Sequence, residues 1–418
     1  MVKEAVIPKG YSQTDVGVIP NDWKVKRLGE LFDISSSKRV FQNEWKSEGV
    51  PFYRARELAV LAEKGEVKND LFISKEMYDA YKKIYGVPQI GDMLVTGVGT
   101  LGKVYVVSDK HEFYFKDGNI IWFKIAAKVS PDFLKQLYIA PVVIKQIEDN
   151  SAGTTVGTYT ISGAKKTVIP LPPLPEQAAI ATTLSDTDKL IAILERLIIK
   201  KRNIRQGAMQ ELLTGKRRLP GFSEKWEVIS LGKVAEFMRG RALSKSDMSE
   251  DGNYKCVHYG QLFTEYKELI REVKSRTNKS DGYFYSKDND VLMPTSDVTP
   301  RGLATASCIR ENGVILGGGI LVIRLHSGYD GLYLSYFIAL NKTSILKLVK
   351  GSTVFHLYAN DLANLEVQFP SLKEQIAITK VLNDIDIEIE TLEQKLAKYQ
   401  MLKKGMTQVL LTGKVRLI

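Results

Sequence analysis

Between Leu171 and Leu219, and again between Phe369 and Leu417, apolar residues step alternately by four and three. That is the spacing of a helix that buries one stripe against another helix. In the first stretch the stripe reads Ile180, Leu184, Thr187, Ile191, Leu194, Ile198, Lys201, Arg205, Ala208 and Leu212. In the second it reads Ile378, Leu382, Ile385, Ile389, Leu392, Leu396, Tyr399, Lys403, Met406 and Leu410. Each pattern opens just after a proline and stops at a Thr-Gly pair, a breaker and a C-cap. Glu176 to Leu213 is 38 residues, so at about 1.5 Å per residue the helix extends roughly 57 Å, more than one globular domain needs. Two such stripes are expected to pair, because water disfavours each by about 25 cal/mol per Å² of apolar surface. The alternative is that each helix packs on its own neighbouring domain.

The two stretches are copies of one unit. Glu176 and Glu374, Asp186 and Asp384, Gly207 and Gly405, and Lys216 and Lys414 all lie 198 positions apart. The repeat extends into the segments before the helices. GVIPNDWKVKRLGEL and GFSEKWEVISLGKV align Trp23 with Trp226 and Gly29 with Gly232 at a separation of 203. Between Trp23 and Pro170 the chain alternates short β-type runs with turns and one or two helices, through FYRARELAV, DMLVTGVG, KVYVVSD and NIIWFKIA and then DFLKQLYIAPVVIKQIE. After Trp226 the corresponding runs are YKCVHYGQLF, DVLMPTSD, LATASCIR, GILVIRL and DGLYLSYFIALNKTSILKLV. Asp92/Asp290, Gly118/Gly318 and Gly153/Gly351 hold the copies in step. This predicts an α+β chain of four segments. Two duplicated globular domains span 1–170 and 216–368, and the long helices span 171–215 and 369–418. The copies share strand positions and differ in loops, where GVGTLGK faces TSDVTPRG, as expected of two ligands read in one manner.

With 59 Lys and Arg against 48 Asp and Glu, the net charge of +11 favours a polyanionic partner. Two cysteines, Cys256 and Cys308, exclude a disulfide framework, and with four histidines they show no zinc spacing. The expected setting is reducing and cytoplasmic, with no membrane partner, since no apolar run approaches the roughly 18 residues of a span.

Gly97 to Lys103, GVGTLGK, satisfies a dinucleotide fingerprint and most of a P-loop. Both need a helix after the glycines, whereas Val104-Tyr105-Val106-Val107 reads as a strand, so a Gly-rich strand connection is the expectation. Catalytic patterns are missing: no Asn-Pro-Pro-aromatic clamp, no serine nucleophile elbow, no HExxH and no His-x-Glu with paired cysteines. Basic residues beside aromatics or glycines gather instead in the loops of both domains. In the first these are Lys38, Arg39, Arg54, Arg56 and Lys103; in the second, Arg239, Arg241, His258, Tyr259 and Arg301. A guanidinium donates two parallel hydrogen bonds and so suits base edges and phosphates. Any one of them alone reads as a solvated surface charge; the set, at equivalent places in two copies, reads as a DNA-binding surface. The tracts Lys200-Lys201-Arg202 with Arg205, and Lys403-Lys404, read as the solvated face of a helix, with a phosphate contact as the alternative.

These residues resemble the DNA-specificity subunit of type I restriction-modification systems. GYSQTDVGVIPNDWKVKRLGELF is similar to that family's N-terminal segment. The PLPPLPEQ and FPSLKEQ helix openings, the GTT and GST turns at Gly153 and Gly351, and the LLTGKRRL ending are similar to its two conserved regions. The resemblance implies two target-recognition domains, each reading one half of a split sequence in double-stranded DNA. It also implies an antiparallel coiled coil that sets the spacer and docks two methyltransferase subunits. The chain itself would then hold no catalytic site and no cofactor. S-adenosylmethionine, ATP and magnesium belong to the methyltransferase and restriction subunits. The competing class is a scaffolding coiled-coil protein with two interaction domains.

Overall fold

The computed structural model describes residues 7–125, 129–151, 157–279 and 282–417. It divides into two compact units. One combines the chain up to Glu195 with Lys395 onward; the other is Arg196–Gln394. The segments expected at 1–170, 171–215, 216–368 and 369–418 therefore map onto two bodies whose boundaries fall inside the long helices. These helices are Leu174–Leu212 and Leu372–Leu410, each of 39 residues.

In the first unit an antiparallel sheet is ordered Phe32–Ser35, Ile120–Ile125, Met93–Thr96, Val104–Val106. In the second, the sheet Ala235–Arg239, Ile320–Leu325, Asp290–Pro294, Ser307–Ile309 repeats that order and adds Leu269–Ile270. The registers agree: Trp122 opposes Leu94, and Val322 opposes Leu292. A short pair closes each domain, with Lys24–Arg27 against Val168–Leu171 in one and Glu227–Ser230 against Glu366–Phe369 in the other. The runs DFLKQLYIAPVVIKQIE and DGLYLSYFIALNKTSILKLV each form two helices. In the first the break precedes Pro141, which restricts the residue before it and cannot donate into a helix.

Within each unit the helical segments run antiparallel and also pack on the domain, so the two alternatives read from the stripe both hold. In the first unit Ile180 and Leu184 share a core with Phe123, Tyr138, Leu410 and Leu411. In the second, Met209 and Leu212 share one with Tyr333, Ile378 and Leu382. Of the stripe residues Ile180, Leu184, Leu194, Ile198, Leu212, Ile378, Leu382, Ile389 and Leu410 are buried. Ile191, Ile385, Leu392, Leu396, Tyr399 and Met406 are half-buried.

The charged tracts match the solvated face expected for them only in part: Lys200, Arg202 and Lys404 are exposed, whereas Lys201, Arg205 and Lys403 are half-buried. Lys201 pairs with Glu388, Arg202 with Glu393 at 2.6 Å, and Arg205 with Asp386 at 2.5 Å and Glu268 at 2.8 Å. Lys403, equivalent to Arg205, pairs with Asp188, equivalent to Asp386. The heptad stripe puts Arg205 and Lys403 at seam positions, where a cation is desolvated and needs a carboxylate across the pair.

The signature residues at the helix ends form a clasp in each unit. Glu176, fully buried, accepts from Arg416 at 2.7 and 2.9 Å and from Trp23 Nε1 at 2.9 Å. Glu374, fully buried, accepts from Arg218 at 2.5 and 2.6 Å and from Trp226 Nε1 at 3.2 Å. The neighbouring glutamines secure the helix starts. Gln177 accepts from the Ser130 N–H and donates to the Pro172 carbonyl; Gln375 does the same with Asp330 and Pro370. Gly413 ends its helix with φ +68, and a Cβ there would collide with Pro20 beside Trp23, so both conformation and space require glycine.

Candidate nucleic-acid interface

In the first domain the strand Val50–Tyr53 passes directly into Arg54, the N-cap of helix Ala55–Lys64. The run FYRARELAV opens as a strand, and its second half is helical for a local reason. Glu57, at the third helical position, accepts the Arg54 backbone N–H at 3.1 Å. Leu58 and Leu61 bury one face at i, i+3 spacing, and Gly65 ends the helix at φ +76.

Arg54 and Arg56 line a cleft of about 560 Å³ with Lys103, Gly99, Thr100 and Asn119. Three of the five basic residues singled out in this domain thus converge. The glycine-rich segment forms the far wall as the connection between antiparallel strands Met93–Thr96 and Val104–Val106. Thr96 organises it, since its hydroxyl accepts the Lys103 N–H at 3.0 Å. Lys103 is paired with Glu63 at 2.6 Å.

Lys38 and Arg39 stand apart from this cleft. Lys38 Nζ lies 5.5 Å from the Tyr85 ring centre, and Arg39 pairs with Asp117 at 2.9 Å. The turn that carries Asp117 also carries Asn119 of the cleft wall.

The second domain repeats the placement with different side chains. Strand Tyr254–Val257 pairs in parallel with Ile315–Leu316, as Val50–Tyr53 does with Tyr114–Phe115. It passes into His258 and Tyr259 at the point where the first domain has Arg54. They line a cleft of about 570 Å³ with Lys245, Leu243 and Gly318. His258 Nδ1 accepts the Gly260 N–H at 3.2 Å, which assigns the ring proton to Nε2. Burial, and the nearby Lys245 charge, lower its pKa, so the ring is a neutral donor at neutral pH.

Arg239 and Arg241 flank Gly240, whose amide donates to the Ile320 carbonyl at 2.9 Å while the Arg241 amide donates to that of Leu316 at 3.0 Å. The chain then enters the left-handed region at Ala242 (φ +49) and Leu243 (φ +53). Such backbone strain, about 1–3 kcal/mol per residue, persists only where the surroundings impose it. Here the buried Leu243 side chain and the Gly318 N–H bond to the Ala242 carbonyl, 2.6 Å, impose it.

Arg301 sits in the short helix Pro300–Ala304, whose Gly302 lies against Phe263; Phe263 in turn meets the Tyr259 ring edge-on. Among the described residues no carboxylate partner is assigned to Arg239, Arg241 or Arg301, in contrast to the paired arginines of the first domain. The turn at Gly351 has φ +130 and lies beside the Lys350–His356 bridge. Its counterpart at Gly153 falls outside the described residues. Sequence reasoning missed Glu57, Asn119 and Lys245. Of these only Glu57 left a trace, as the acid three positions after a helix-opening residue.

Among the described residues no group of three His, Cys, Asp or Glu side chains is placed to hold a metal ion, and no helix is long and apolar enough to cross a membrane.

The model of the type I restriction modification DNA specificity domain matches the chain twice, at residues 20–201 and 223–399. Two specificity subunits of Methanocaldococcus jannaschii are similar along nearly their whole length. The protein named for the MjaX type I restriction enzyme is 26% identical, over 98% of this chain and 97% of its own. That of the MjaVIII enzyme is 24% identical, over 95% and 94%. The crystal structure of a type I restriction-modification S subunit from M. genitalium superposes with a TM-score of 0.60 at 17% identity, covering 93% of this chain and 96% of that one. With two matched specificity domains on one repeated scaffold, the chain belongs to the type I restriction-modification DNA specificity family.

Proposed function

We propose that the chain reads a bipartite sequence in double-stranded DNA, one half per domain, and that the paired helices set the spacer and dock two methyltransferase subunits. The observation that carries this reading is the equivalence of the two clefts. Each follows a strand that pairs in parallel with its neighbour, Val50–Tyr53 in one domain and Tyr254–Val257 in the other, each is of similar size, and each is bordered by hydrogen-bond donors on divergent loops, Arg54, Arg56 and Lys103 in the first and Lys245 and His258 in the second. A net charge of +11 adds the sequence-independent attraction to phosphates. Methyl transfer from S-adenosylmethionine, and ATP- and magnesium-dependent cleavage, fall to methyltransferase and restriction subunits.

The test is methylation mapping. The chain alone, given S-adenosylmethionine and duplex DNA, is expected to transfer no methyl group. With its methyltransferase partner, methylated adenines should mark one split sequence. Methylation by the purified single chain would overturn the assignment of chemistry to the partner.

The division of labour has its own test. Arg54→Ala or Arg56→Ala should weaken recognition of one half-site about 10- to 100-fold, the scale of one bidentate base contact, and Arg301→Ala or His258→Ala that of the other. Four substitutions that weakened both halves equally would refute one domain per half. Binding should also fall steeply with salt, as counterion release requires.

A further inference from the structure

The charge arrangement in the first domain's cleft poses a problem for a surface that binds a polyanion. Glu57 lies beneath the two arginines, only 4% exposed, and a carboxylate there repels phosphates. It accepts from Arg54 Nε at 3.0 Å and Nη2 at 2.7 Å and from Arg56 Nε at 3.0 Å, with Arg56 Nη2 in ion-pair contact at 2.9 Å. Burial acts to raise the Glu57 carboxyl, yet the two guanidiniums outweigh it and hold it down at about 2, so it is ionised at any pH where the protein works. Lys103 is likewise paired, with Glu63 on the same helix. Three cations and two carboxylates leave little net charge. The cleft gives up Coulomb attraction and gains a fixed arrangement of donors.

The geometry shows what that arrangement offers. Both arginines turn their Nε/Nη2 edge to Glu57, and among the described residues nothing else binds the Nη1/Nη2 end of either fork. Arg56 is 75% exposed in its side chain and Arg54 35%. An end-on fork matches two acceptors side by side, as on the O6/N7 edge of guanine or the two free oxygens of a phosphate. A guanidinium held in advance loses less rotamer freedom on binding, so affinity for one acceptor geometry rises while affinity for arbitrary anions does not.

We infer that Glu57 is a positioning residue for DNA recognition by the first domain, holding Arg54 and Arg56 end-on toward paired acceptors of the duplex. The inference rests on the proposed DNA-reading function of this cleft. The second domain would read by another device, since among the described residues no carboxylate pairs with Arg239, Arg241 or Arg301.

Glu57→Gln, in the full chain assembled with its methyltransferase partner, separates position from charge because the two predict opposite signs. Removing a negative charge should by itself tighten binding to every duplex and steepen the salt dependence by up to about one unit of slope. Loss of positioning should weaken binding to the mapped first half-site about 10-fold or more, leave the second half-site unchanged, and leave random duplex bound as well or better. Tighter binding to all duplexes alike, with first-half discrimination intact, would overturn the inference.

A merely structural role is tested by a cycle with Arg56→Ala, whose exposed side chain can be removed without opening the core. Positioning requires that Glu57→Gln cost less discrimination in the Arg56→Ala background than in the parent; an equal loss in both would overturn it. If instead Arg54→Ala and Arg56→Ala themselves spared the first half-site, the assignment of the cleft to DNA would fail, whatever Glu57 does. Half-site duplexes with 7-deazaguanine, which lacks N7, or with a single neutral methylphosphonate tell a base edge from a phosphate as the acceptor.

Discussion

Replacing Arg218 with methionine is expected to lower the melting temperature of the second unit by roughly 10 °C. Glu374 is fully buried, and Arg218, itself 26% exposed, supplies two of its three hydrogen bonds. Without the guanidinium, an ionised carboxylate remains in the core with only the Trp226 N–H. Breaking a buried pair in this way costs about 3–5 kcal/mol, and each kcal/mol shifts a unit of this size by about 2–4 °C. Removing both charges together, Arg218→Met with Glu374→Gln, should recover most of the loss, because the neutral amide can still accept from Trp226. Calorimetry of the three proteins checks this. A single variant that melted within about 2 °C of the parent would show that the clasp does not hold the helix start to the domain. Arg416→Met should act alike on the first unit, where Glu176 has the equivalent bonds from Arg416 and Trp23.

A second large effect is expected at the helix seam, and it should be unequal at two positions that the repeat makes equivalent. Arg205 is 20% exposed and lies between Asp386 and Glu268, themselves 9% and 16% exposed in their side chains. The Tyr336 hydroxyl also donates to Asp386 at 2.6 Å. Burial acts to lower the Arg205 pKa, but the two carboxylates outweigh it and raise it, so the cation persists at any working pH. Arg205→Ala would leave two desolvated carboxylates facing one another, at a cost of about 3–5 kcal/mol. Lys403→Ala removes the equivalent cation, but its partner Asp188 is 41% exposed and is solvated by water once released. That loss should stay under about 1 kcal/mol. Denaturant midpoints of the two variants check the difference, and equal losses would refute burial as its cause. Charge reversal at Asp386 should be as damaging as Arg205→Ala, since it sets two cations together beside Tyr336.

The repeat determined more of the structure than any single motif did. A separation held at 198 residues through both long helices could only mean two copies of one element, and the helices indeed match residue for residue. The stripe of Ile and Leu was legible because heptad spacing is a local property of the chain. The stops at Gly215 and Gly413 were legible because a left-handed residue after a helix favours glycine whatever surrounds it. Of the loop cations read in the first copy, Arg54, Arg56 and Lys103 line one cleft, while Lys38 and Arg39 stand apart from it.

What those charges face could not be read along the chain. The stripe places Arg205 and Lys403 at the seam, but their partners Asp386 and Asp188 come from the other helix, 181 and 215 residues away. Glu176 and Glu374 look like first-turn acids favoured by the helix dipole; only the returning Arg416 and Arg218 show that they are buried anchors. In FYRARELAV the strand of Phe-Tyr gives way to a helix that the Glu57 cap begins and the burial of Leu58 and Leu61 sustains. The convergence of Arg54 and Arg56 with Lys103, nearly fifty residues further on, was decided when antiparallel pairing of Met93–Thr96 with Val104–Val106 set the glycine-rich connection opposite the helix. Periodicity and turn chemistry act over a few residues and are written in the sequence itself. Which carboxylate meets which guanidinium depends on distant segments meeting, and only the packed chain decides it.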